Sequence, residues 1–270
     1  MPELVADPAE GETQDLERGS MGLLQHLEEL RKRVLYSVVA VAVCFGAAWY
    51  KAEFIFAEMK KPIVHALAVH HMDQSLVYTN PTDPFNLFLK IGLIAGIFIA
   101  CPFLLYQVWM FISPGLYRHE KRFILPFLML SVALFVGGGL FGFKIVFPVA
   151  LDFLIGQGGD LKAMITITEY TDLFLTVILG LAIIFELPIV IGFAGMMGVV
   201  NSKFLFKHIR GAVLVFFLFA AILTPTTDIM NMAIYATPMI LLYILSIGIV
   251  WLVHPKQRRR RAEKRKATGE

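Results

Sequence analysis

Trp109-Met-Phe-Ile-Ser-Pro-Gly-Leu-Tyr-Arg-His-Glu-Lys-Arg122 is the stretch on which the fold turns. On either side lies an apolar run of about 25 residues, long enough to cross a bilayer at about 1.5 Å of rise per residue. Pro114-Gly115 stops the first run, because proline removes a donor and glycine permits the turn. The loop that follows is too short to fold alone and holds Arg118, His119, Glu120, Lys121 and Arg122. Two readings of Glu120 stand side by side. It is either the internal counter-ion of a basic turn that orients the protein, or a carboxylate awaiting a cationic ligand, with Phe111 and Tyr117 as apolar surface beside it.

Composition fixes the class. Apolar residues make up 57% of the chain and charged residues 17%, with the charges gathered between long uncharged runs. A soluble domain of 270 residues would show polar faces on its helices, and these runs have none. The sequence therefore predicts an all-α integral membrane protein, since the runs are far too long for barrel strands.

Six spans are expected, near 34–50, 86–112, 123–149, 172–200, 211–223 and 229–253, within a membrane domain of 21–253. Before them, residues 1–20 are acidic and polar and read as a disordered tail, neither a secretory signal nor a transit peptide. Leu23, Leu27 and Leu30 share one helical face and predict a short amphipathic surface helix running into the first span. Trp49 and Tyr50 form an interfacial belt at its far end. Residues 51–85 form a long polar connection divided by Pro62, with a helical turn at 54–59 and extended chain at 77–84. Gly92-xxx-Gly96 and Gly138-xxx-Gly142 are spaced for close helix packing, and Lys90 and Lys144 for snorkelling. The fifth span is short, at about 20 Å, and pairs with the sixth as a hairpin. Residues 254–270 are a basic tail.

Lysine and arginine placement orients the chain. Eighteen lie in the N-terminal tail, the 2–3 loop, the 4–5 loop and the C-terminal tail, against four in the other connections. Positive-inside puts both termini in the cytoplasm, and the absence of targeting segments favours a bacterial inner membrane.

Enzyme signatures are missing: there is no Gly-x-Ser-x-Gly elbow and no phosphate-binding glycine loop. His70 and His71 have no partners at metal-ligand spacing. Cys44 and Cys101 stand alone inside apolar runs as small packing residues. Glu186 is the polar residue that packing does not explain. It lies about 14 residues into its span, where an ionised side chain costs about 2.5–3.5 kcal/mol on insertion scales. A functional, water-lined site is one reading; a protonated glutamate bonded to the backbone freed by Pro188 is the other.

Several motifs now fall into one order: His26-Leu-x-Glu-Leu-Arg-Lys-Arg33, Tyr106-Gln-x-Trp-x-Phe-Ile-x-Pro-Gly-Leu-Tyr-x-x-Glu120, Phe147-Pro148, Phe185-Glu-x-Pro188 and Thr224-Pro225. Together they resemble the TatC family, the core receptor subunits of twin-arginine protein translocases, over about 21–253. The resemblance implies a concave scaffold of six helices that recognises the paired arginines of signal peptides on folded cargo. It implies that Glu120 and Phe111 contact that motif, and that Glu29 and Arg31 belong to the cytoplasmic N-terminal motif. Glu186 matches the family's intramembrane glutamate, and Pro62 a proline of the first external loop. Asp228 falls one residue later than the aspartate of members in which Pro-Asp follows Thr-Pro. Implied partners are single-span TatA- and TatB-type proteins, the lipid bilayer and further copies of the chain, with no cofactor, metal or nucleic acid, and with the proton gradient as energy source. From the residues alone, a proton-coupled small-molecule transporter using Glu186 is the competing function.

Overall fold

A computed structural model describes residues 8–113, 124–158, 161, 163–224 and 228–253, with side chains from Gln25 onward except those of Asn231, Leu252 and Val253. Among these residues the chain is almost entirely helical. In order come α1 (Pro8–Tyr50), α2 (Ala52–Met59), α3 (Lys61–Val69), α4 (Asp83–Ile112), α5 (Ile124–Phe141), a π-helical turn (Gly142–Val146), α6 (Phe147–Gly156), α7 (Ile167–Ile184), α8 (Leu187–Met196), α9 (Ser202–Lys207), α10 (Ile209–Leu223) and α11 (Ile229–Val253). Among the described residues five segments are long and apolar enough to span a bilayer: Gln25–Tyr50, Asp83–Ile112, Ile124–Gly156, Ile167–Met196 and Met232–Trp251. Helix α10 is apolar but shorter, with 15 residues, or about 22 Å of length.

The boundaries differ from the sequence expectation in ways that local chemistry explains. The surface helix at 23–33 runs into the first span as expected, but residues 1–20 are expected as a disordered tail, and α1 runs unbroken from Pro8 to Tyr50. Once the membrane part of a helix is fixed, each added residue costs little. The connection 51–85 is not a mainly irregular chain. Pro62 occupies the second position of α3, where its missing donor is harmless, so the proline that seemed to divide the loop begins a helix. Asp83 and Pro84, expected in extended chain, start α4. The Asp83 carboxylate accepts from the Thr79 and Asn80 backbone N–H groups at 3.1 and 3.0 Å.

Two prolines reshape the middle spans. Pro148 has no N–H for the Lys144 carbonyl, and the preceding turn widens so that Phe147 N–H reaches back to Gly142. The third span therefore continues through α6 to Gly156. The fourth begins at Ile167, where Thr166 accepts from Glu169 N–H at 3.2 Å as an N-cap. It ends at Met196 and is interrupted at Phe185-Glu186 before Pro188.

Glycines set the closest helix contacts. A methyl group added at Gly96 would lie 2.8 Å from the Phe45 backbone nitrogen, and one at Gly138 would lie 2.7 Å from the Phe185 side chain. Gly96 thus seats α1 on α4, and Gly138 seats α5 against the end of α7. The rest of α1 faces outward, with only 6% of its apolar window buried. The main core lies where α2, α3 and α6 cap α4 and α7, around Ile63, Leu67, Phe147, Tyr170 and Leu181. Tyr170 donates its hydroxyl to the Met59 carbonyl, tying α7 to α2. Val77 and Thr166 form a single parallel bridge between the two connections on this side. Lys90, expected to snorkel, instead pairs with Asp172.

If the Gly96 contact seats α1, Gly96→Leu must push the two helices apart. Overpacking of this kind costs about 1–3 kcal/mol. Thermal unfolding of the purified variant in detergent should show a midpoint lowered by several degrees. Gly46→Leu, on a face of α1 where an added methyl meets nothing within 4 Å, should leave the midpoint in place.

Candidate functional site

Two groups of residues converge at the end of α4 that leads into the 114–122 loop. His26, Glu29 and Arg33 recur at spacings of three and four and share one face of α1. Gln107 and Phe111 are likewise four apart on α4. The His26 ring stacks on Phe111 with centroids 4.3 Å apart and planes at 22°. Arg33 binds Glu29 through two nitrogens, Nε at 3.0 Å, and sends Nη1 to Gln107 Oε1 at 3.2 Å. The guanidinium therefore clamps α1 to α4 through a polar contact, one turn of α4 away from the ring stack.

Trp109 holds the end of α4 from the other side. It is buried, packs against Phe193 at 4.9 Å and Phe127 at 5.6 Å, and donates Nε1–H to Ser131 Oγ at 3.4 Å. Helices α5 and α8 thereby fix where the following loop leaves the membrane domain.

Of the residues singled out from the sequence, Phe111 and Glu29 come together here, and Glu29 is already engaged by Arg33. Arg31 is exposed on a different face of α1. Glu120, with Tyr117 and the cations around it, lies outside the described residues, as does the basic tail 254–270. Pro62 stands at the opposite end of the molecule, in α3 beside α6. Asp228 precedes α11 and accepts from Met232 N–H through its carbonyl at 3.1 Å. Sequence reading held His26 and Gln107 only as members of the quoted motifs, with no role of their own, and passed over Ser131. The spacing of His26 to Arg33 and of Gln107 to Phe111 was the available signal for the first two. For Ser131 it was a hydroxyl in an otherwise apolar run.

Glu186 sits at the break between α7 and α8, half-buried. Its backbone closes the break: Glu186 N–H donates to Ile183, and the Glu186 carbonyl accepts from both Ile189 and Val190, each at 3.0 Å. The carboxylate does not cap α8. It faces the Ser131 hydroxyl, with Cys101 of α4 within electrostatic reach, and its Oε1 is buried with no hydrogen-bond partner. The geometry thus departs from a protonated glutamate bonded to the backbone that Pro188 frees. Ser131 stands between Glu186 and Trp109, so the intramembrane carboxylate and the loop anchor share one hydroxyl. Among the described residues no cluster of three or more His, Cys, Asp or Glu is placed to hold a metal.

Comparison with known proteins agrees over nearly the whole chain. A family model described as Sec-independent protein translocase protein (TatC) matches residues 25–238. The protein of that name from Koribacter versatilis is 54% identical over 269 residues, covering 99% of each chain. The one from Desulforapulum autotrophicum is 39% identical over 224 residues, covering 83% of this chain and 82% of its own. A crystal structure of the twin arginine translocase receptor TatC superposes with a TM-score of 0.75 at 34% identity, covering 84% of this chain and 99% of that one.

An unpartnered buried carboxylate oxygen weakens the fold by about 1–3 kcal/mol. Glu186→Leu should therefore raise the thermal midpoint of the purified protein. A lowered midpoint would show that the carboxylate is satisfied and serves packing.

Proposed function

The chain belongs to the TatC family, and from that premise we propose that it is the receptor subunit of a twin-arginine translocase. It binds the paired arginines of signal peptides and starts the passage of folded cargo across the membrane. It does so without enzymatic chemistry of its own. The observation that carries the reading is the His26–Phe111 stack. That contact draws the N-terminal motif on α1 and the 106–112 part of the second motif on α4 to one end of the membrane domain, next to the segment that holds Glu120 in the sequence.

The chemistry suits the ligand. Guanidinium groups stay charged and favour carboxylate acceptors, with bonds about twice as strong as neutral ones. Glu120 is the proposed primary acceptor, and Phe111, at the end of α4, is proposed to supply apolar surface to the same ligand. Glu29 is a conditional one: an incoming arginine competes with Arg33 for the same oxygen, and success would loosen the Arg33–Gln107 clamp between α1 and α4. Arg31, exposed on another face of α1, is proposed to add positive charge to this end of the molecule and so keep binding reversible. The apolar part of the signal peptide then follows the wall toward Glu186, whose unpartnered oxygen offers a polar anchor at depth. TatA- and TatB-type helices are the proposed partners, and further copies of the chain can join them. Pro62 and Asp228 are proposed to act at the opposite end, in assembly with those partners. The proton gradient is the proposed energy source. A small-molecule transporter built on Glu186 would leave the 106–120 motif without a task.

Loop charge supports a cytoplasmic location for both termini in a bacterial inner membrane. A cysteine at Ser75 should react with an impermeant thiol reagent added outside intact cells, and a cysteine at Lys207 should react only after lysis. Both positions are exposed in the fold. Reversed labelling would place the receptor end on the wrong side.

Recognition itself is tested at Glu120. Losing one partner of a charge-assisted bond costs about 1.5–3 kcal/mol, or roughly tenfold or more in affinity. Glu120→Ala should weaken binding of a twin-arginine peptide by at least that factor, Glu120→Asp by less, and a twin-lysine peptide should bind wild type poorly. Equal peptide affinity for wild type and Glu120→Ala, in low and high salt alike, would remove Glu120 from the site.

A further inference from the structure

We infer that the groove between α9 and the end of α11 is a binding site for an anionic phospholipid. The inference goes beyond the signal-peptide reading and uses none of its residues. Helix α9 is short, but it is firmly placed. Asn201 caps it by accepting from Phe204 N–H at 3.0 Å, and Tyr243 of α11 donates its hydroxyl to the Leu205 carbonyl at 3.0 Å. Between the two helices lies an open groove of about 450 Å³ whose lining includes Lys203, Phe206 and Lys207 from α9 and Ile247, Gly248 and Trp251 from α11.

Charge and surface say what occupies it. Lys203 and Lys207 are one turn apart and exposed, and among the described residues neither joins an ion pair. Two ammonium groups without a counter-ion at one rim suit a phosphodiester. The floor is the opposite in character. Ile247 is apolar, and Gly248 presents open space, with nothing within 4 Å of an added methyl. Phe206 and Trp251 flank it, 68% and 51% exposed, as aromatic residues do at the boundary between hydrocarbon and headgroups. A ligand that fits must therefore carry negative charge at one end and a hydrocarbon chain at the other, and must be present at membrane depth. A phospholipid with a net negative headgroup meets all three conditions, with its phosphate between the lysines and one acyl chain over Ile247 and Gly248. Basic pockets between spanning helices recognise such headgroups by this combination. A zwitterionic lipid would bring a cation to the lysines and gain little.

Trp251 can report occupancy directly. The full-length protein is reconstituted in phosphatidylcholine vesicles with increasing fractions of phosphatidylglycerol or phosphatidylcholine brominated on the acyl chain. Quenching of tryptophan emission is then read for each lipid. Trp49 is at the other end of α1 and Trp109 is buried, so changes caused by variants in the groove arise at Trp251. Wild type should prefer brominated phosphatidylglycerol by roughly tenfold, as expected for two lysines near a charged headgroup. The Lys203→Gln/Lys207→Gln double variant should fall to near parity while its quenching by brominated phosphatidylcholine stays unchanged. Gly248→Leu fills the chain seat and should lower quenching with both lysines intact. Equal quenching of wild type by the two lipids overturns the proposal, as does a preference that survives loss of both lysines, or a Gly248→Leu protein that quenches like wild type. Release of the lipid signal by inorganic phosphate, beyond that seen with chloride at equal ionic strength, would make this a free-anion site and also overturn it.

Discussion

The close seating of α1 on α4 is the contact on which the rest depends. Only 6% of the apolar window in Gln25–Tyr50 is buried, so that part of helix α1 has little else to hold it and leaves most of its apolar surface to lipid. Where Phe45 meets Gly96 the two backbones approach as nearly as side-chain volume allows, which brings the polar ends of both helices into register. Only then can His26 reach Phe111 and Arg33 reach Gln107. In a bilayer, apolar surface gains nothing by leaving lipid, so close packing and interhelical polar bonds must hold such a pair. Both are present, the packing at mid-helix and the polar bonds at the end where binding is proposed. A ligand that takes Glu29 from Arg33 acts on the weaker of the two.

Helix α4 passes that seating on to the other spans. Its Trp109 locks into α5 and α8, and its first turn is held by the Asp83 carboxylate. The spans it contacts are irregular where prolines stand. Within the hydrocarbon layer an unpaired backbone group costs several kcal/mol, so a proline forces a local rearrangement. Around Pro148 the answer is a widened turn, and before Pro188 it is a tight one in which Glu186 closes the gap with its main chain. The second solution leaves the Glu186 side chain idle as a cap, and therefore available.

Much of this was legible in the sequence because it is local. Run length and charge placement exposed the spans, and the Gly92–Gly96 and Gly138–Gly142 spacings marked faces that do pack closely. The boundaries were less legible. Pro62 read as a divider, but proline is equally at home in a first helical turn, and the helical pattern of Ile63, Ala66 and Leu67 makes sense only against α6. Pairs such as Arg33–Gln107 and Lys90–Asp172 lie 74 and 82 residues apart, and no periodicity joins them. Glu186 stood out as a charge at depth, yet its partner Ser131 did not, because a single hydroxyl in an apolar run usually bonds to its own helix.

Ser131 gives the molecule a physical link between the two polar places that the sequence marked separately. Its hydroxyl takes a hydrogen bond from Trp109, which anchors the loop carrying Glu120, and it faces the carboxylate of Glu186. The Trp109 bond is long at 3.4 Å, so it is easily exchanged for a better partner. A helix inserted along this wall with a polar group at the right depth would satisfy Glu186 and compete for Ser131. Trp109, edge-on to Phe193 and tilted against Phe127, would then be free to shift only as far as those rings permit. Such a wall offers the Glu186 carboxylate oxygen as an unmet polar atom. That arrangement suits a receptor that must accept an apolar segment, hold it at a fixed depth, and release it again.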